Sequence, residues 1–264
     1  MHWKSSTLLT KLVSYPRLGL VTDVDGTISP IVDRPDAARV TPRCRELLQA
    51  LQRHLALVAV ISGRAAQDVQ AMVDLAGVQV VGNHGLEWWC DGQVEIAPAV
   101  AAYRPALEAA AATVHTHLVP GMFVEDKGAT LSIHYRRTAD PAATADRLAA
   151  LLPEIAGEHN LKIFRGNMIF ELRPPVGIDK GSAFRQLVEK HQLDAALYLG
   201  DDTTDVDALR MARRLRDSAT CYALGLGVES DHMPPALRDQ ADLLLSGVQD
   251  VEAFLAWLLN ASST

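Results

Sequence analysis

The stretch Leu18-Gly-Leu-Val-Thr-Asp23-Val-Asp25-Gly-Thr27 decides how this 264-residue chain is read. Leu18 to Thr22 is a short, continuous apolar run of the kind found in a strand buried on both faces. It ends on two aspartates separated by one residue, and in extended backbone residues two apart point to the same side. Gly26 then allows the chain to turn and to approach a ligand closely. Paired carboxylates at the carboxyl end of a buried strand stand where open α/β sheets bind their ligands.

Outward from this stretch, Thr41 reads as a helix cap with Pro42 as the first helical residue, and a helix follows to His54. Leu55–Ile61 is a second buried strand, Ala65–Ala76 a helix and Val78–Val81 a third strand, an alternation that specifies a parallel sheet. The pattern changes near Gly82. Trp88–Ile96 reads as a hairpin around Asp91-Gly92. Then come a helix at Val100–Leu118, strands Met122–Lys127 and Thr130–Arg136, a helix at Pro141–His159, and strands Leu161–Arg165 and Met168–Arg173. After Pro174-Pro175 the buried style returns, with helix Lys180–His191, strand Ala195–Gly200, helix Thr204–Leu215, strands Thr220–Leu224 and Asp242–Leu245, and helix Val248–Leu259. The expected fold is α/β: a Rossmann-like parallel sheet core from residues 1–84 and 176–264, with an inserted α+β cap at 85–175 whose antiparallel sheet is covered by two helices.

A second acidic group, Gly200-Asp201-Asp202-Thr-Thr-Asp205, follows another apolar strand. If its strand neighbours the first, several carboxylates converge, and each like-charged pair at about 4 Å costs roughly 4 kcal/mol at an effective dielectric of about 20. A hard divalent cation removes that cost, and an all-oxygen set suits Mg2+ better than zinc. Helix capping is the plainer role for Asp202 or Asp205 taken alone. Ser62-Gly63-Arg64 opens a helix directly after the second strand, where a hydroxyl and backbone N–H groups can hold an anion. Lys180-Gly181 stands at a helix start, where a cation is unfavourable unless an anion is near.

In the cap, Thr130, Ser132, His134 and Arg136 share one strand face while Leu131, Ile133 and Tyr135 share the other. Glu125 pairs with Lys127, and Glu171 with Arg173, opposite Met168, Phe170 and Leu172. A net charge of −7 argues against nucleic acid or an anionic membrane as the main partner. No apolar run reaches the roughly 18–20 residues of a membrane span. Cys44, Cys90 and Cys221 are scattered and read as reduced thiols of a cytoplasmic protein, without a zinc-type grouping. The opening residues show no signal-peptide pattern. Oligomeric state is left open.

The motifs Asp23-Val-Asp25-Gly-Thr27, Ser62, Lys180 and Gly200-Asp201-Asp202-Thr-Thr-Asp205, in this order, resemble the haloacid-dehalogenase superfamily of Mg2+-dependent phosphohydrolases. Within it the chain is most similar to trehalose-6-phosphate phosphatases, through Asp25-Gly-Thr-Ile-Ser-Pro-Ile-Val-Asp33, Pro35-Asp36, Gly82-Asn-His-Gly85, Glu125-Asp-Lys127, His134-Tyr-Arg136 and Glu171-Leu-Arg-Pro174. It departs from the pattern with Val206 where Glu is usual after Asp205, and with Asp179 where Asn usually precedes Lys-Gly. The resemblance implies Asp23 as nucleophile and Asp25 as acid and base. It implies Ser62, Gly63 and Lys180 around a phosphoryl group, and Mg2+ held by Asp23, the main chain of Asp25, Asp201 and, directly or through water, Asp205. Glu125, Lys127, His134, Arg136 and Glu171 match the positions that hold the sugar. The substrate so implied is a small sugar phosphate. Two other readings stay open: the same chemistry on a sucrose-phosphate or mannosyl-phosphoglycerate type of substrate, and a non-catalytic partner domain of a sugar-phosphate synthase.

Overall fold

The computed structural model describes residues 3–32, 34–166, 168–230 and 233–263. Its strands are β1 (Leu18–Thr22), β2 (Leu57–Ile61), β3 (Gln79–Gly82), β4 (Glu87–Cys90), β5 (Gln93–Ile96), β6 (Phe123–Asp126), β7 (Leu131–His134), β8 (Lys162–Gly166), β9 (Ile169–Arg173), β10 (Ala195–Gly200), β11 (Tyr222–Val228) and β12 (Leu243–Leu245). The helices are α1 (Leu8–Leu12), α2 (Pro42–Leu51), α3 (Ala66–Val73), α4 (Pro98–Ala101), α5 (Arg104–His115), α6 (Pro141–Glu158), α7 (Lys180–Lys190), α8 (Val206–Asp217), α9 (Pro235–Gln240) and α10 (Val248–Ser262). They form two compact units, Met1–Val94 with Ile178–Thr264, and Glu95–Gly177.

The first unit carries an eight-stranded sheet in the order β12-β11-β10-β1-β2-β3-β4-β5. Pairing is parallel from β12 through β3, and β4 then runs antiparallel to β3. Every residue of β1, β2 and β10 is buried, which is why these strands read as unbroken apolar runs. Their side chains alternate between two cores. Leu18, Leu20, Val58, Val60, Leu197 and Leu199 pack with α1, α2, α3 and α10, whereas Val21, Ala59, Ile61, Ala196 and Tyr198 pack with α7, α8 and α9. Thr41 caps α2 as read, its hydroxyl accepting from Cys44 N at 3.1 Å.

The chain divides at Glu95 and Ile178 instead of at 85 and 176. The residues at the Asp91-Gly92 tip both have left-handed backbones (φ 49° and 85°), as the turn chemistry requires, but β4 pairs with β3 and so extends the first sheet. The switch from continuous to alternating apolar residues marked a change from parallel to antiparallel pairing, not a change of unit. β11 is longer than read, because Gly225 and Gly227 lie inside it, where α8 and the residues flanking α9 come too close for side chains: a Cβ at Gly225 would lie 2.6 Å from Leu209, and one at Gly227 2.9 Å from Met233.

The second unit holds the antiparallel sheet β6-β7-β9-β8. One face is apolar: Leu131, Ile133, Tyr135, Phe170 and Leu172 pack against Leu107, Ala110 and Val114 of α5 and Leu148, Leu152 and Ile155 of α6. The single helix expected at Val100–Leu118 is broken into α4 and α5, since Pro105 has no N–H to give to the carbonyl of Ala101. Met168 does not join the apolar face; it stands before β9 with a left-handed backbone and is exposed.

Candidate active site

The register of β1 against β10, with Thr22 opposite Leu199, brings the residues after each strand together. Asp23 N donates to Leu199 O at 2.8 Å, and Asp23, Asp201 and Asp205 each offer a carboxylate oxygen within 4.8 Å of the others. All three are buried. Lys180, at the first position of α7, reaches between them, Nζ donating to Asp23 Oδ1 at 2.8 Å and to Asp205 Oδ1 at 2.7 Å. Its place is fixed by Asp179, which caps α7 in a capping box with Ser182. Aspartate caps as well as asparagine, so the departure at 179 keeps its local role.

Three buried carboxylates face one ammonium, and the titration behaviour reflects the imbalance. Burial raises the Asp23 carboxyl well above its usual range, with Asp205 and Asp201 adding to the effect and Lys180 opposing it. Asp201 is pushed up to about 7, by burial first and then by Asp205. A cation among them would reverse that direction, and the all-oxygen donors are those a hard divalent ion takes. Gly26 is required here (φ 80°), since a Cβ would lie 1.9 Å from Asp201 Oδ2.

Asp205 occupies a special position in the group. Its Oδ1 accepts from Lys180 and from the Tyr198 hydroxyl at 2.6 Å, and its Oδ2 accepts from the backbone N–H groups of Asp201 (3.1 Å) and Asp202 (3.0 Å). Four donors use the roughly four lone-pair sites of a carboxylate. Asp205 thereby holds Lys180 and the 201–202 turn in place. Tyr198 was missed in the sequence, although a phenol in the aliphatic run Ala195–Gly200 is itself a signal.

Ser62 follows β2 and is buried. Its Oγ accepts from Arg64 N at 3.2 Å, which leaves the hydroxyl hydrogen for another acceptor. Arg64, quoted in the motif but given no part, clasps Asp25 in two parallel bonds: Nε to Oδ2 at 2.6 Å and Nη2 to Oδ1 at 2.8 Å. Both Asp25 oxygens thus face Arg64. Asp33 lies outside the described residues.

In the second unit, the sheet face opposite the helices carries four of the five sugar-site residues read from the sequence. Glu171 is buried and accepts at Oε1 from Lys127 (3.4 Å), Thr130 (3.3 Å) and Ser132 (3.2 Å), while Arg173 donates to Oε2. Glu125 Oε2 and His134 Nε2 are 2.7 Å apart, and the His134 ring stacks on Phe123 at 4.2 Å. Arg136 is not on the strand; it is exposed in the turn after β7. Arg173 and the exposed Phe123 belong to the same face and were not among the residues read as a site.

A parallel sheet whose strand connections diverge on either side of β1, with an aspartate pair, a buried lysine and a second acidic group at that switch point, defines the haloacid-dehalogenase-like class. A haloacid dehalogenase-like hydrolase from Bacteroides thetaiotaomicron shares the fold, with a TM-score of 0.64 at 16% identity, over 92% of this chain and 99% of that one. The C-terminal domain of Candida albicans trehalose-6-phosphate phosphatase shares it with a TM-score of 0.76 at 22% identity, over 96% and 95% of the two chains. The chain belongs to the trehalose-phosphatase family, whose sequence model matches residues 21–234. The trehalose-phosphate phosphatase of Mycobacterium marinum is 37% identical over 205 residues, which cover 74% of this chain and 52% of that protein. The chain thus spans about half the length of the curated relatives it matches.

Proposed function

We propose that the chain is a Mg2+-dependent phosphatase that hydrolyses trehalose 6-phosphate through an aspartyl-phosphate. The observation that carries this reading is the buried bridge from Asp23 through Lys180 to Asp205 beside Asp201, at the carboxyl edge of β1 and β10. A domain that binds neither a cation nor a reacting phosphate has no use for an acidic cluster whose mutual repulsion costs stability.

Asp23 Oδ1 is held by Lys180, so Oδ2 is the oxygen that attacks phosphorus. The sugar oxygen leaves with a proton from Asp25, and water, losing its proton to Asp25, then displaces the phosphoryl group from Asp23. Splitting the displacement in this way replaces one high barrier by two lower ones. Asp25 must part from Arg64 before it can carry a proton, so substrate binding has to open that pair. Ser62 donates its hydroxyl hydrogen to a phosphoryl oxygen, Gly63 lends close backbone approach, and Lys180 neutralises charge that develops there. Mg2+ would be held by Asp23, Asp201 and the main-chain carbonyl of Asp25, with Asp205 acting from outside, and it would supply charge neutralisation for the phosphoryl oxygens. Glu125, Lys127, His134, Arg136 and Glu171 are assigned to the sugar hydroxyls, for which carboxylates and cations are fitting partners. The three free thiols support a reducing compartment such as the cytoplasm.

Phosphate release from a panel of sugar phosphates with Mg2+ tests the reading. Trehalose 6-phosphate is expected to turn over best, and Asp23→Asn to lower turnover by on the order of 10³ or more with the fold intact. Brisk turnover of sucrose 6-phosphate alone would replace the substrate and keep the mechanism. Near-native activity of Asp23→Asn would remove the nucleophile.

A further inference from the structure

The Gly82-Asn-His-Gly85 motif has no part in the chemistry above, yet its backbone is unusual. Asn83 and His84 are both left-handed (φ 45° and 58°), and Gly85 follows at φ 110°. Such residues outside glycine persist only where their surroundings over-determine them. Here the surroundings are the Ser62–Arg64 loop. His84 N donates to Ser62 O at 2.9 Å and Asn83 N to Arg64 O at 2.7 Å. The His84 ring lies so close over Gly63 that a Cβ there would come within 2.7 Å of it.

This turn is held by Glu87, at the start of β4 and 2% exposed. Asn83 Nδ2 donates to Glu87 Oε1 at 2.6 Å, and Ala66 N donates to Oε2 at 2.9 Å. Ala66 opens α3, whose cap residue is Ala65 and has no side-chain acceptor to give. Glu87 therefore supplies from β4 the cap that the sequence of α3 lacks. In the same act it fixes the turn that clamps the loop on its other side.

We infer that Glu87 is a positioning residue for the phosphoryl-binding loop: through Ala66 and Asn83 it sets where the Ser62 hydroxyl and the 62–64 backbone stand. The inference rests on the phosphatase reading. Asn83 Nδ2 meets one carboxylate oxygen and Ala66 N the other, so an amide at position 87 would confront one of them with its own NH2. Replacing Asn83 by aspartate at the same time reverses the side-chain bond: the amide at 87 donates to the carboxylate at 83, and net charge is kept.

The test compares wild type, Glu87→Gln, the double variant Glu87→Gln with Asn83→Asp, and Asn83→Gly, which accepts the left-handed backbone but lacks the bridge. KM and kcat for trehalose 6-phosphate, the inhibition constant of inorganic phosphate and the melting temperature are measured for each. Glu87→Gln and Asn83→Gly should each raise KM and the phosphate inhibition constant by roughly 10–100-fold, the range that corresponds to one lost hydrogen bond to a charged group. The double variant should recover most of that loss. If Glu87→Gln does not fold, Asn83→Gly and the double variant decide. Normal phosphate inhibition in variants that only melt earlier overturns the inference, as does a double variant no better than Glu87→Gln. A wild-type protein indifferent to both trehalose 6-phosphate and inorganic phosphate overturns the phosphatase reading, and the inference falls with it.

Discussion

Tyr198 shows how much rests on single atoms. Its hydroxyl, fully buried, gives one of the four hydrogen bonds that saturate Asp205. Burial and the nearby carboxylates push its titration far above the usual tyrosine range, so it stays a donor. Tyr198→Phe removes that donor and no volume of consequence. It should cost about 1.5–3 kcal/mol in urea unfolding, the usual worth of a bond to a charged group. Because Asp205 orients Lys180, the same change should lower turnover or Mg2+ affinity by about 10–100-fold, the range seen when such supporting bonds are lost. Unchanged turnover with reduced stability would make Tyr198 a packing residue only. The residues with the chemistry were legible because their types and spacing recur along the chain. Tyr198 and Glu87 were not, because each acts on a partner chosen by the fold.

At the scale of elements, the start of α7 joins local sequence to the site. Asp179 accepts from Ser182 N at 2.7 Å, and the next residue is Lys180. Asp179→Ala should destabilise the protein by about 1 kcal/mol, and Asp179→Asn by only a few tenths, as measured by thermal or urea unfolding. Equal effects of the two would show that the charge and not the cap matters. The existence of most strands and helices was readable from period and capping. Their ends were not: the α4–α5 break, the length of β11 and the sheet to which β4 belongs were decided by a missing N–H, by side chains packing over glycines and by pairing with β3.

For the whole molecule, the buried charge imbalance sets a pH dependence. Asp201 titrates at about 7 when folded, against about 4 for an ordinary aspartate. Between those values the native state holds a proton that the unfolded chain has lost, so metal-free stability falls as pH rises through that window. Mg2+ needs the ionised form, and binding to the native state alone raises the melting temperature. The Mg2+-induced shift should therefore be larger at pH 8 than at pH 6, with proton release on binding at pH 6. A shift independent of pH would place the ion elsewhere. The buried thiols Cys44 and Cys221, pushed up to about 11 and about 12 by burial, should be inert to alkylating agents at neutral pH without denaturant.

By itself the sequence determined the chemistry-bearing residue types, the strand ends that carry them and the alternation that makes a parallel sheet. These are short-range properties, written in spacing, capping and apolar period. The fold alone decided that β10 lies beside β1 with Thr22 opposite Leu199, that Arg64 closes on Asp25, and that Glu87 reaches back to the first residue of α3. Those outcomes depend on which strands pair and on which buried donors find acceptors, and both are settled only when the chain packs.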